Sequence, residues 1–115
     1  MSVRIYHNPR CSKSRETLAL LREKGIEPEI VEYLATPPSV RELDAILKML
    51  GREPRALMRR QEAPYKAGGL DNPKLTRREL VAAMHENPVL IERPIVVKGK
   101  KAAVGRPPEA VLKIL

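Results

Sequence analysis

One sulfur concentrates the chemistry that this sequence offers. Cys11 is the only cysteine among 115 residues and lies within His7-Asn8-Pro9-Arg10-Cys11-Ser12-Lys13-Ser14-Arg15. The apolar, strand-like stretch from Val3 to Tyr6 precedes it, and the helix-like stretch from Thr17 to Leu21 follows. That order puts the sulfur at a strand-to-helix turn, where unbonded backbone N–H groups meet the positive end of the helix dipole. A thiolate is stabilised in such a place, and so is an oxyanion that it attacks. The first fifteen residues carry Arg4, Arg10, Lys13 and Arg15 and no Asp or Glu.

The competing role for a lone cysteine is that of a small buried hydrophobe. The helix-start position, the cations and the polar neighbours favour a reactive thiol. No second cysteine exists to form an internal disulfide, which fits a reducing, cytosolic setting. The redox pattern Cys-x-x-Cys is absent, because its second position is Ser14, whose hydroxyl is able to hydrogen-bond a thiolate. His7 has two possible roles: an imidazolium beside the sulfur, or a polar contact that ends the first strand. His85 reads as a surface residue near a helix end. One Cys and two distant His give no zinc-ligand spacing, so no metal is expected. A phosphatase loop needs Arg six positions after the cysteine, and residue 17 is Thr. Arg93 and Arg106 each precede a proline, which restricts their backbone to extended geometry. Either is by default a surface cation, and composition offers no means of bringing residues 59, 93 and 106 to residue 11.

The elements that must position these groups follow from periodicity and punctuation. Val3 to Tyr6 reads as a strand, and the residues from Cys11 to Lys24 as a helix stopped by Gly25. Glu29 to Leu34 is a second strand, followed by a break at Pro37-Pro38. Ser39-Val40-Arg41-Glu42 has capping-box spacing and opens a helix with Leu43, Ile46, Leu47 and Leu50 inward, closed by Gly51. Pro54 to Arg60 reads as a short helical piece and Ala63 to Pro73 as loop. Thr76-Arg77-Arg78-Glu79 repeats the capping box before a helix that ends at Asn87-Pro88. Val89 to Ile91 has extended character, and Ile95 to Val104 reads as a β-hairpin around Lys98-Gly99-Lys100. Pro107-Pro108 opens a last helix with Val111, Leu112 and Leu115 inward.

The order β-α-β, helical middle, β-β-α requires one parallel pair and one antiparallel pair. An α/β fold satisfies both: a thioredoxin-like, four-stranded mixed sheet flanked by helices. The chain is expected to form a single domain over residues 1–115, with a helical insertion at about 39–87 between the two halves.

Bulk properties narrow the partners. Hydrophobic residues make up 43% of the chain, enough for a folded core. Three Tyr, no Phe and no Trp leave that core to aliphatic side chains. No apolar run is long enough for a membrane span or signal peptide, so a cytoplasmic protein with no membrane partner is expected. The net charge of +8 raises nucleic acid as a ligand. The scarcity of aromatic stacking platforms and the lack of a Lys/Arg block argue against it. A small anion is the remaining reading of the charge.

Four ordered segments resemble one family. His7-Asn8-Pro9-x-Cys11-x-x-Ser14-Arg15-x-Thr17-Leu18 is similar to the active-site opening of the glutaredoxin-coupled arsenate reductases. Arg55-Ala56-Leu57-Met58-Arg59, Glu92-Arg93-Pro94-Ile95-Val96-Val97 and Gly105-Arg106-Pro107-Pro108-Glu109 resemble three further signatures, with little change in spacing. The Pro-Arg-Cys-Ser-Lys-Ser version of the cysteine loop, with Arg10 and Lys13, resembles a sister branch of the family. The resemblance implies Cys11 as nucleophile, with His7 and Ser14 beside it. It implies Arg59, Arg93, Arg106 and Arg15 around the oxyanion, and a cis peptide bond before Pro94. It further implies arsenate or a similar oxyanion as substrate, no bound cofactor, glutathione as co-substrate and glutaredoxin as partner. The alternatives are an Spx-like regulatory or protein-binding member of the same fold, or a thiol reductase for another oxyanion or a glutathionylated substrate. Spx-type regulators typically carry Cys-x-x-Cys, which Ser14 replaces here.

Overall fold

The computed structural model describes residues 2–115. Two compact units emerge: one joins the residues through Thr36 to Arg93–Leu115, and the other spans Pro37–Glu92. No helix among the described residues is long and apolar enough to cross a membrane.

The first unit is a mixed four-stranded sheet, as its β-α-β and β-β patterns demand. Strands β1 (Val3–His7), β2 (Glu29–Glu32), β3 (Ile95–Lys98) and β4 (Lys101–Val104) lie in the order β2-β1-β3-β4. The pair β1–β2 is parallel, with Ile5 opposite Ile30. The pairs β1–β3 and β3–β4 are antiparallel, with Tyr6 opposite Ile95 and Val96 opposite Ala103. Helix α1 (Ser12–Glu23) crosses between the parallel strands. It buries Leu18 and Leu21 with Val3, Ile5, Val96 and Val111 in an aliphatic cluster. Gly25, at φ +78°, ends the helix: its N–H reaches the Arg22 carbonyl at 3.0 Å, in a backbone region that a side chain would oppose.

The second unit is helical: α2 (Val40–Leu50), α3 (Ala63–Ala67) and α4 (Arg77–Glu86), with 3₁₀ turns at Pro54–Leu57 and Pro88–Leu90. Both expected caps form. Ser39 accepts from the Glu42 amide, and Thr76 and Glu79 close a reciprocal capping box. Leu43, Ile46, Leu47, Leu80, Val81 and Met84 are buried, the inward stripe that the helical period requires.

Four local expectations need correction. The stretch Ala63 to Pro73 is not all loop: Pro64 sits in the first turn of α3, where its missing N–H costs nothing, and Tyr65 is buried. Strand β2 stops at Glu32, whose carbonyl accepts the Ala35 and Thr36 amides in a turn. Of Val89-Leu90-Ile91, the first two belong to a 3₁₀ turn over Pro88–Leu90, and only Ile91 is extended, in a single bridge with Met58. The C-terminal helix is a 3₁₀ run over Pro108–Ile114 rather than an α-helix. Its tighter repeat of three residues puts Ile114 with Val111 against the sheet and leaves Leu112 at 39% exposure, where a period of 3.6 had Leu112 inward.

Candidate active site

The site grows from the end of β1. The chain leaves the sheet through His7 and Asn8, and the Asn8 carbonyl accepts the Cys11 amide at 3.0 Å. The Asn8 side chain accepts the Arg10 amide at 3.0 Å, which curls the loop tightly. Cys11 is the N-cap of α1, with extended backbone (φ −96°, ψ 123°), and its carbonyl accepts the Arg15 amide at 3.0 Å. The sulfur therefore sits over the open first turn.

Ser14 and His7 support that loop from beneath. Both are buried. Ser14 Oγ accepts the Asn8 amide at 3.0 Å and lies 2.5 Å from His7 Nδ1. Since the hydroxyl oxygen already accepts one N–H, its own hydrogen is best donated to Nδ1, which puts the proton of a neutral ring on Nε2. The electrostatics agree. Burial lowers the His7 pKa most, the nearby Glu32 raises it, and Arg22 and Arg15 lower it further. His7 is thus a neutral anchor of the loop, the second of its two possible roles, and not an imidazolium facing the sulfur.

Two arginines reach the site from the far end of the chain. Arg106 Nη1 lies 3.9 Å from Cys11 Sγ and donates to the Arg93 carbonyl at 3.2 Å. Burial pushes the Cys11 thiol up, but the Ser14 amide, the charge of Arg93, the Lys13 amide and the Arg106 guanidinium together outweigh it, and the pKa falls. A thiol pulled toward thiolate, beside open amides and two guanidinium groups, is equipped both to attack an electrophilic oxyanion and to hold its negative oxygens.

Both arginine-bearing turns contain cis prolines. The Arg93–Pro94 peptide is cis, and so is Arg106–Pro107. The second had no expectation attached to it, because nothing in a single sequence separates a cis from a trans proline.

The remaining candidates have other geometry. Arg15 is exposed, and its Nη1 donates to the Pro9 carbonyl at 2.9 Å, so it clamps the cysteine loop. Arg59 belongs to the helical unit. There its amide donates to the Leu90 carbonyl at 2.7 Å, its Nη1 pairs with Glu62 at 3.1 Å, and its buried Nε has no hydrogen-bond partner. Lys13 turns its ammonium to Glu16 at 3.5 Å. The described residues contain no cluster of three or more potential metal ligands.

Sequence reasoning missed two contributors. Thr17 is fully buried, and its Oγ1 donates to the Lys13 carbonyl at 2.8 Å, inside the first turns of α1. Gly105 is buried, and its amide donates to the Pro94 carbonyl at 2.9 Å. Both lie in the segments that resemble the family's signatures, and Thr17 also excludes a phosphatase loop, but the sequence reading attaches no role in the site to either. A threonine on the inward face of the second helical turn is the available signal.

Comparison with known proteins agrees with this geometry. The family model described as "ArsC family" matches residues 6–114. An arsenate reductase of Haemophilus influenzae is 57% identical over 116 residues, covering all of both chains. The uncharacterized protein YfgD of Escherichia coli K12 is 55% identical over 114 residues, covering 98% of this chain and 96% of its own. The solved structure of an arsenate reductase from Vibrio cholerae superposes with a TM-score of 0.96 at 57% identity, covering 100% of this chain and 98% of that one. The mixed sheet expected from the strand pattern is the fold of these relatives. With the match running from the end of β1 to the penultimate residue, and through every element that carries the site, the chain belongs to the ArsC family.

Proposed function

We propose that the protein reduces arsenate to arsenite through a covalent adduct on Cys11, with glutathione and glutaredoxin as the reducing system. The observation that carries this reading is the cation-flanked sulfur, 3.9 Å from Arg106 Nη1 at the open end of α1. The arsenate reductases named among its relatives support the choice of oxyanion.

Arsenate enters as a dianion and is held by Arg93, Arg106 and the amides of the first turn of α1, with charge-assisted hydrogen bonds orienting it. Arg59 is the further oxyanion ligand that the family resemblance supplies. The Cys11 thiolate attacks arsenic, a sulfur–arsenic bond forms, and one oxygen departs as water after taking up protons. A glutathione thiolate then attacks the Cys11 sulfur. The sulfur–arsenic bond breaks with its electron pair left on arsenic, which falls from As(V) to As(III). Arsenite leaves, and Cys11 remains in a mixed disulfide with glutathione. A glutaredoxin thiol removes the glutathione by exchange and restores the thiolate. The external thiol is needed because the chain has no second cysteine to resolve the adduct.

The test is anaerobic arsenate reduction with glutathione and glutaredoxin, comparing the parent with Cys11→Ser. Arsenite should accumulate with the parent alone and stop when either reducing component is omitted. Equal arsenite from parent and Cys11→Ser would overturn the reading.

A further inference from the structure

We propose that Gly105 is a positioning residue: the absence of a side chain there lets the thiol-bearing helix seat directly against the two arginine-bearing turns. The inference rests on the reading of Cys11 as the nucleophile and adds how its cations are brought into register.

Three parts of the site meet at this one point. Thr17 comes from α1, whose N-cap is Cys11. Pro94 follows Arg93 at the entry to β3. Gly105 leaves β4 and precedes Arg106. A Cβ added at Gly105 would stand 2.5 Å from Thr17 Oγ1, 2.9 Å from Pro94 Cγ and 3.1 Å from Thr17 Cγ2. No real side chain tolerates the first two contacts, and neither wall yields freely. Thr17 is β-branched, fully buried and tied to the Lys13 carbonyl. The Pro94 ring is rigid and buried, and its carbonyl is bonded to the Gly105 amide itself.

Space, and not backbone conformation, is what the position demands. The glycines with positive φ are Gly25, Gly51, Gly69 and Gly99, and Gly105 is not one of them. An alanine there meets no dihedral penalty, only the two walls. Relief requires α1 to move away from the turns that carry Arg93 and Arg106. The Arg106–Cys11 contact, at 3.9 Å, already lies at the long end of hydrogen bonding to sulfur, so a shift of some tenths of an ångström separates the charge from the thiolate. The groups facing the sulfur are the Lys13 and Ser14 amides from α1, Arg93 from the turn before β3 and Arg106 from the turn after β4. Only the arginines are displaced relative to the helix.

The experiment is the pH profile of Cys11 alkylation by iodoacetamide, read for the parent, Gly105→Ala, Thr17→Ile and the double variant Gly105→Ala/Thr17→Ala. Gly105→Ala fills the seat from the strand side and Thr17→Ile from the helix side, so a folding failure of one leaves the other to decide. Each single variant should alkylate about tenfold more slowly than the parent at pH 6, equivalent to one unit of thiol pKa. The double variant, which removes the nearest wall, should recover most of that loss. Folded single variants with the parent's profile would overturn the proposal, as would a double variant no faster than Gly105→Ala. Alkylation needs no arsenate. A parent that fails to reduce arsenate but shows these shifts therefore removes the substrate reading and leaves the positioning role standing.

Discussion

Arg106 Nη1 stands 3.9 Å from Cys11 Sγ across 95 residues of chain, and the same nitrogen donates to the carbonyl of Arg93. One guanidinium thereby ties the second arginine's backbone to the nucleophile. Replacing Arg106 with Ala removes a cation that holds the thiolate, so the Cys11 pKa should rise toward the free value of about 8.5. Arg106→Lys keeps a charge but loses the planar fork and should fall between the two. Iodoacetamide rates against pH measure this. An Arg106→Ala profile that overlays the parent's would remove Arg106 from the site.

Arg93 and Arg15 should separate in kinetics. Arg93 acts on the sulfur by its charge, whereas Arg15 clamps the Pro9 carbonyl. Loss of an oriented donor that acts on the transition state costs about a hundredfold in rate. Arg93→Ala should show such a loss in arsenate turnover and should weaken protection of Cys11 by sulfate. Arg15→Ala should retain sulfate protection and lose turnover less. Initial rates together with protected alkylation test both, and equal losses would assign Arg15 to the oxyanion as well.

His7 predicts a pH dependence of stability. Its folded pKa lies below the ordinary value of 6.5, chiefly through burial, so the unfolded chain takes up the proton more readily. Stability from this group is therefore full above pH 6.5 and declines as the pH falls from there to the folded pKa. The melting temperature of the parent should drop relative to that of His7→Asn between pH 7.5 and 5.5. The depressed carboxylates Asp44 and Glu79 titrate lower and are common to both proteins. A constant difference across that window would mean that His7 titrates normally.

The capping box of α4 offers a stability test that involves none of the proposed site residues. Thr76 accepts the Glu79 amide at 3.2 Å, while Glu79 Oε1 accepts the Thr76 amide at 3.0 Å. Thr76→Ala should cost about 1 kcal/mol, read from urea unfolding. The pH profile of Cys11 alkylation should not move.

Local signals were legible wherever a residue type meets a local geometric need. Ser39 and Thr76 cap α2 and α4 because their oxygens satisfy amides that no helical carbonyl reaches. Gly51, at φ +65°, closes α2 where a side chain would clash with its own backbone. The errors fell where two repeats compete over a short segment. At the C-terminus, Leu112 has the right spacing for an inward α-helical face, and only packing against the sheet selects the three-residue repeat that turns it outward. Val89 to Ile91 is apolar enough for a strand, but Pro88 opens a turn through Leu90 and leaves only Ile91 extended.

By itself the sequence determined that one sulfur caps a helix, that cations crowd its loop, and that no second thiol exists in the chain. These are matters of neighbours along the backbone, and elementary helix electrostatics reads them directly. Tertiary structure decided the rest. Arg106 reaches Cys11 only because β3 and β4 pair antiparallel and return the chain to the end of β1 where the sulfur lies. His7 is neutral because folding buries it against Ser14. Gly105 matters because Thr17 and Pro94 leave it no room. Contacts across dozens of residues are set by sheet register and packing, which no local spacing encodes.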